Sequence, residues 1–431
     1  MKFYSTNNSK HLVSLQDAVI KGLAPDNGLY MPEKIPVFSP DFFNSLSEKS
    51  FREIAYDVSK EFVEEDISKD QLKSIIDHTI SSDAPLVEVE NNIFALELFH
   101  GPTLAFKDFG ARFMSQVLGH FAKQQKREIV ILVATSGDTG SAVANGFLGV
   151  AGTRVIVLYP KGKVSEIQEK QFTTLEKNIT AIEVNGTFDD CQRLVKQAFL
   201  DQALNESFFL TSANSINIAR LIPQSFYYFY AWSRLPKNKN VMFSIPSGNF
   251  GNLTAGLIAK RMGLPIQHFV AATNINDIVP HYLTTKEFLP KSSASTISNA
   301  MDVGNPSNFA RMLDIFHHDH SAMKNDITGY SFNDEETRGA MRDVFQKFNY
   351  TLDPHGAIGY LGAKKYLSQN PESVGVFLET AHPAKFLDVV ESALQRKVPI
   401  PDGLKLFLSG NKKSIACEAD FVSFKNLLQK I

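Results

Sequence analysis

The chain has 431 residues, with 44 Lys+Arg against 46 Asp+Glu for a formal charge of −2, and is 43% hydrophobic and 21% charged. At roughly 100–200 residues per domain, that length predicts two to four domains. The charge balance excludes a basic nucleic-acid binder and a polybasic membrane-surface protein, and the composition excludes a disordered chain.

Phe is in surplus, 34 residues beside 12 Tyr and a single Trp, Trp232. The two cysteines, Cys191 and Cys417, form no CxxC pair, so no disulfide framework or cysteine zinc site is expected, and a reducing compartment fits. The N-terminal MKFYSTNNSKHLVSLQ has no apolar core of signal-peptide length. The aliphatic run Ile129–Ala134 is far short of the about 20 residues a transmembrane helix needs. The expectation is a soluble, cytoplasmic protein.

The first hundred residues read as mostly helical, with capping-box patterns at Ser50–Glu53 and Ser68–Gln71 after an irregular, turn-rich stretch at 22–32. From residue 129 short β-branched runs alternate with amphipathic segments. Strands are predicted at 129–135, 154–159, 181–184, 208–211, 241–246, 267–273 and 374–380, with helical patterns such as 188–203, 216–232 and 253–262 between them. That alternation predicts an α/β fold with parallel sheets and helices on both faces. The Ser-rich segment 281–310 breaks the rhythm and reads as an elaboration; Asn305-Pro306 and Asp353-Pro354 read as helix starts. A last helix is expected near 418–430.

Three predicted strands run into unusual sequences: Thr135-Ser-Gly-Asp-Thr-Gly140, Ser247-Gly-Asn-Phe-Gly-Asn252 and Glu379-Thr-Ala-His-Pro383. In parallel sheets these open at the carboxyl edge, where ligands bind. The glycines allow close backbone approach, and the following helix N-termini suit a phosphate, although one such loop alone is equally a tight strand–helix turn. Neither glycine loop reads GxGxxG, and Thr273-Asn274 supplies no carboxylate for a ribose, so a dinucleotide is disfavoured and a small phosphorylated ligand preferred.

A helix is predicted to begin near Lys107, within His100-Gly-Pro-Thr-Leu-Ala-Phe-Lys-Asp-Phe-Gly110. Its apolar neighbours and the helix N-terminus both disfavour the ammonium form, which would make Lys107 a nucleophile toward carbonyls. Alternatively its stem lies on apolar surface and its head reaches water. A lysine combined with phosphate-binding loops points to pyridoxal 5′-phosphate.

The chain resembles the threonine synthases, in the long form of bacteria and fungi, a fold type II (tryptophan synthase β-like) pyridoxal-phosphate family. The resemblance runs nearly end to end, through GLAPDNGLYMP (22–32), FHGPTLAFKDFGARFM (99–114), ATSGDTGSA (134–142), NSINIAR (214–220), PSGNFGNLTAGL (246–257), SNAMDVGNPSN (298–308) and TAHPAKF (380–386). It implies two parallel-type α/β domains with the cofactor in the cleft between them. The expected division is a helical N-terminal region at 1–95, a small mobile domain at 96–213 and a large one at 214–431, elaborated at about 281–335.

By the same resemblance, Lys107 is the lysine that bonds the cofactor aldehyde and later shuttles protons. Gly248, Asn249, Phe250, Gly251 and Asn252 surround the cofactor phosphate, and Thr380 faces the pyridine nitrogen. Thr135, Ser136 and Thr139 hold the substrate carboxylate; Asp138 borders the cofactor ring, where related enzymes more often carry Asn. Asn214, Ser215 and Arg220 form the substrate phosphate pocket, and a capping turn with an Arg fork is physically suited to that.

The implied reaction converts O-phospho-L-homoserine and water to L-threonine and phosphate. The rival is a related phospholyase or dehydratase giving a 2-oxo acid. The resemblance requires no metal; His317-His-Asp-His320 reads as a solvated helix end, with a shared metal-binding face as the alternative. His100 and His382 either line the pocket or make structural hydrogen bonds, Cys191 is core or helix surface, and the Lys123–Arg127 cluster ends a helix. Phe99, Phe106, Phe109 and Phe113 are expected to crowd around Lys107 and keep it dry. No nucleic acid or membrane partner is expected, and the state is monomer or homodimer.

Overall fold

Ile129–Ala134 and Ser373–Glu379 are buried at every position, the pattern of strands covered on both faces by helices. In the computed structural model, which describes residues 1–123, 125, 127–236 and 239–431, each anchors its own sheet. A five-stranded, all-parallel sheet has the order Ile415–Glu418, Ile179–Asn185, Thr153–Pro160, Ile129–Ala134, Phe209–Ser212. A six-stranded sheet has the order Ile327–Ser331, His268–Thr273, Asn240–Pro246, Ser373–Glu379, Ile93–Glu97, Leu86–Glu90. Only Leu86–Glu90 runs antiparallel to its neighbour there.

All seven expected strands occur, each within two residues of the expected ends. The helices differ more. The 188–203 pattern breaks at Asp201, whose side chain caps a second helix, Gln202–Ser207, after Phe188–Leu200. The 216–232 pattern starts at Ile218 and tightens into a 3-10 turn at Ile222–Ser225, where Pro223 offers no N–H, before Phe226–Arg234. Asn305-Pro306 does not start a helix. Pro306 leads a turn whose carbonyl accepts from Phe309, and the helix Phe309–Ile315 begins three residues later than expected. Asp353 does cap Pro354–Leu367, and the last helix is Phe421–Leu428.

The expected division of the chain changes in four places. Residues 1–95 are not only helical: Asn8–Val13, Phe3–Ser5 and Tyr30–Pro32 form an antiparallel sheet, hidden in the sequence because Asn8–Val13 is exposed at five of six positions. The boundary at 95/96 falls inside Ile93–Glu97, which pairs with Ser373–Glu379 in the six-stranded sheet. The C-terminal segment belongs to the other lobe: Ile415–Glu418 pairs with Ile179–Asn185, and Phe424 is buried with Cys191 and Leu194. The elaboration after residue 281 also ends earlier than expected, since Ile327–Ser331 is an edge strand of the six-stranded sheet.

The N-terminal segment docks through aromatics. Phe38 stacks on Phe42 with ring centroids 3.8 Å apart and meets Phe229 edge-on at 5.8 Å, while Phe51 stacks on Tyr230 at 4.7 Å. The helix carrying Phe51 has a complete capping box between Ser50 and Glu53; Ser68 caps its helix through Gln71 N–H alone. Of the Lys123–Arg127 cluster, Lys123 caps Lys107–Ala122 and Arg127 donates to the Glu206 carbonyl at 2.8 Å; Gln124 and Lys126 lie outside the described residues. Among the described residues, no helix is long and apolar enough to cross a membrane.

Candidate active site

The carboxyl ends of three strands converge on one cavity of about 470 Å³ between the sheets. Its lining includes Lys107, Thr135, Ser136, Thr139, Asn214, Ser215, Arg220, Gly248, Asn249, Phe250, Gly251, Asn252 and Thr380, so every expected site residue except Asp138 faces one space.

Lys107 opens the helix Lys107–Ala122 with its Nζ 5.6 Å from the centroid of the Phe106 ring. Among the described residues it has no ion-pair partner. Burial lowers its proton affinity; Asp138 opposes that, and Lys385 and Arg220 reinforce it. Its position relative to Thr380 is fixed by backbone: Phe106 N–H donates to the Thr380 carbonyl at 2.9 Å, and Ala105 bridges Ala381.

The loop after Asn240–Pro246 is built to approach a ligand closely. A Cβ on Gly248 would fall 2.7 Å from Met301 Cα and 2.9 Å from the Ala300 carbonyl, so only glycine fits. Phe250 holds φ 59°, a left-handed conformation costly for a bulky residue, and leads the helix Gly251–Arg261 with no side chain capping its first turn. Those first-turn N–H groups suit a phosphate. Asn252 accepts from Tyr227 and Tyr228 at 2.7 Å each, which leaves its buried Nδ2 without a protein partner.

Beside this lies a second polar patch. Ser215 Oγ accepts from Asn249 at 2.9 Å and from Asn308 at 3.1 Å, while Asn214 donates to the Ala134 carbonyl at 3.1 Å. Arg220 is buried, donates to the Ala213 carbonyl, and has an Nε with no protein partner. Burial pushes its guanidinium down to about 10, against the pull of Asp108. The helix cap is Asn217, whose amide is spent on the Val19 and Ser212 carbonyls, so Asn217 is structural.

Three expectations change here. Asp138 does not line the cavity; its Oδ1 lies 2.7 Å from Lys385 Nζ and accepts from Gln168 at 2.8 Å, behind the loop. Thr135 Oγ1 is spent inside its own loop, accepting from Gly137 and Gly140 N–H, although the residue borders the cavity. Of the four Phe residues, only Phe106 borders the cavity; Phe109 packs on Phe51 and Tyr227, Phe113 on Phe226 and Phe99 on His382.

His100 and His382 are structural. His100 lies 2.7 Å from Glu97 Oε2, and His382 accepts from Ala384 N–H. His317 and His318 end one helix in left-handed conformations, exposed, while His320 begins the next and contacts the Tyr282 carbonyl. Among the described residues, no group of three metal-ligating side chains is assembled.

The sequence reading missed His355, which borders the cavity with Nδ1 2.5 Å from Asp353 and Nε2 accepting from Ala300 N–H at 3.3 Å. It also missed Lys291, Ser292 and Ser293 at the mouth. The Asp-Pro helix start and the Ser-rich run were the available signals, but neither indicates a direction.

Pyridoxal phosphate fits what is present: a buried lysine of lowered proton affinity, an uncapped helix N-terminus behind a loop that only Gly248 permits, and an unpartnered Asn252 amide. Family models agree. Residues 2–80 match the threonine synthase N terminus, 80–379 the pyridoxal-phosphate dependent enzymes, and 356–428 the threonine synthase C-terminal region. The chain is 42% identical to threonine synthase of Escherichia coli K12 and 46% identical to that of Haemophilus influenzae, covering 99% and 94% of both partners respectively. The crystal structure of threonine synthase from Escherichia coli superposes with a TM-score of 0.94 at 41% identity, each chain fully covered. The pyridoxal-phosphate-bound threonine synthase from Brucella melitensis gives 0.93 at 33%, covering 100% of this chain and 99% of its own. Fold and cavity are those of a fold type II pyridoxal-phosphate-dependent lyase. Within that class, the chain belongs to the threonine synthase family.

Proposed function

We propose that this chain converts O-phospho-L-homoserine and water to L-threonine and phosphate, with Lys107 as its acid–base residue. The observation that carries the reading is that Lys107 shares one cavity with two sets of groups suited to anions. One is the helix N-terminus at Gly248–Asn252 and the other is Asn214, Ser215 and Arg220. A phosphorylated cofactor and a phosphorylated substrate need one each.

Pyridoxal phosphate, when bound, supplies a conjugated ring that stabilises negative charge on the substrate carbon next to its amine. Gly248, Asn249, Phe250, Gly251 and Asn252 would hold its phosphate, and the Thr380 hydroxyl its ring nitrogen. Arg220, Asn214 and Ser215 bind the substrate phosphate, with the guanidinium opposing the charge that grows as phosphate leaves Cγ. Ser136 and Thr139 bind the substrate carboxylate beside the start of the helix Asp138–Phe147. Lys107 Nζ takes the Cα proton and, once that proton has been passed on, the Cβ proton, and phosphate departs from Cγ with the electron pair of its C–O bond. The chain then returns a proton to Cγ, water adds its hydroxyl at Cβ, and Cα is reprotonated. An amine of lowered proton affinity can cycle its proton through these steps near neutral pH.

The test supplies O-phospho-L-homoserine and assays threonine against 2-oxobutyrate. Threonine with stoichiometric phosphate is the expected result; 2-oxobutyrate as the main product would replace the reading with a phospholyase. Lys107→Ala is expected to abolish both turnover and the visible absorbance of the lysine-bound cofactor.

A further inference from the structure

Lys385 has no exposed surface, yet its side chain ends in a charge. It sits on the short turn Pro383–Phe386, which follows the strand Ser373–Glu379 of the six-stranded sheet. Its Nζ lies 2.7 Å from Asp138 Oδ1 and donates to the Thr103 carbonyl at 2.7 Å. Asp138 is the first residue of Asp138–Phe147, which follows Ile129–Ala134 of the five-stranded sheet. The ion pair therefore joins the two lobes. Gln168 secures the Asp138 end, donating to the same oxygen at 2.8 Å, and Ser165 Oγ reaches the Lys385 carbonyl at 3.3 Å.

We propose that Lys385 is a positioning residue that fixes the Asp138 loop against the Thr380-bearing segment and neutralises the Asp138 carboxylate beside Lys107. This rests on the assignment of Lys107 as the cofactor lysine. The charged groups that act on Lys107 are Asp138, Lys385 and Arg220. Lys385 in turn faces Asp138, Asp108 and His382. Burial works against a charged Asp138, yet Lys385, Lys107 and Gln168 hold its carboxyl well below the usual range, so it is an anion throughout the working pH range. An unpaired anion there would draw a proton onto Lys107 and take away its nucleophilic form. With Lys385 in place the pull of Asp138 on Lys107 is opposed, in the same direction as burial and Arg220.

The capture of pyridoxal phosphate by the apoprotein reads this directly, because only the neutral amine attacks the aldehyde. Capture rate is followed by the rise of visible absorbance across a pH series. Lys385→Met is expected to raise the pH midpoint on the order of one unit, because it removes a cation and frees an anion. Asp138→Asn is expected to lower the midpoint, and the double variant to bring it back up toward that of the unaltered protein. A double variant that stays at the Asp138→Asn value overturns the proposal even if Lys385→Met fails to fold. A Lys385→Met midpoint that does not move, or moves down, also overturns it. Lys107→Ala is run alongside. If that variant still captures the cofactor covalently, the assignment of Lys107 itself is wrong; if it does not and the midpoints stay put, only the role of Lys385 falls.

Discussion

Arg220 illustrates how a single residue combines cost and use. A buried guanidinium with an unpartnered Nε is a desolvated charge whose best partner is an anion. Arg220→Ala is expected to lower kcat/KM for the phosphorylated substrate by about a hundredfold, the worth of one buried charge-assisted contact at ~3 kcal/mol, while cofactor absorbance is kept. Equal loss of both would assign Arg220 to the cofactor phosphate. Glu379, next to Thr380, presents the opposite case. Burial, then Asp353 and Glu97, raise its carboxyl far above its ordinary value; Oε1 accepts from Asp353 N–H at 2.6 Å and Oε2 has no partner. A carboxyl whose affinity for its proton is raised by folding contributes fully below its unfolded value of 4.5 and loses that contribution as pH rises toward the folded value. Glu379→Gln mimics the protonated form. Its Tm advantage over the unaltered protein is therefore expected to grow with pH above that point; a constant difference would mean Glu379 is ionised in the fold. At this scale the sequence was informative wherever identity alone constrains chemistry, as at Lys107 and Arg220. It was silent where partners decide. Asp138 reads as a cavity residue, but its charge is consumed by Lys385, which lies 247 positions away (385 − 138).

Among the elements, the turn at Gly248–Phe250 is the most constrained. The glycine admits the Ala300–Met301 backbone, and the left-handed Phe250 turns the chain so that an uncapped helix faces the cavity. Gly248→Ala would push a methyl group against backbone atoms, which cannot yield as a side-chain tip can. The expected outcome is a stability loss of about 1–3 kcal/mol in urea denaturation and weaker cofactor retention. Unchanged retention would mean the loop does not hold the cofactor phosphate. Strands were legible because Ile129–Ala134 and Ser373–Glu379 are continuous apolar runs. The short edge strands, such as Ile415–Glu418, were not, since one buried residue in four gives no pattern. The Asn305-Pro306 start failed for a related reason: the side chain of the true leader, Asn308, is engaged with Ser215, Asn249 and the Arg311 guanidinium rather than with the first-turn N–H groups of its helix.

For the whole molecule, two sheets meet at a cavity supplied by both, and the Phe surplus follows from that plan. Phe38, Phe42, Phe43 and Phe51 fasten the N-terminal segment to the helix Phe226–Arg234, which underlies the Asn252 loop through Tyr227 and Tyr228. Of the aromatics expected as a dry shell for Lys107, Phe109 instead packs on Phe51 and so extends this joint. Removal of residues 415–431 is expected to speed hydrogen exchange in Ile179–Asn185, which would become an edge strand, and to leave Asn240–Pro246 protected. Equal loss of protection in both sheets would mean that the lobes unfold as one unit.

The pairing of Ile415 with Ile182 also has a temporal consequence. The partners are 233 positions apart (415 − 182), so the small lobe, started by residue 129, waits for nearly the whole large lobe to be synthesised before its last strand exists. Until then Ile179–Asn185 offers an open hydrogen-bonding edge and Cys191 and Leu194 lack the cover of Phe424. A long-range parallel strand of this kind is slow to close. During synthesis, the nascent five-stranded sheet is the part of this chain most exposed to pairing with another copy, and the part a chaperone would be expected to shield.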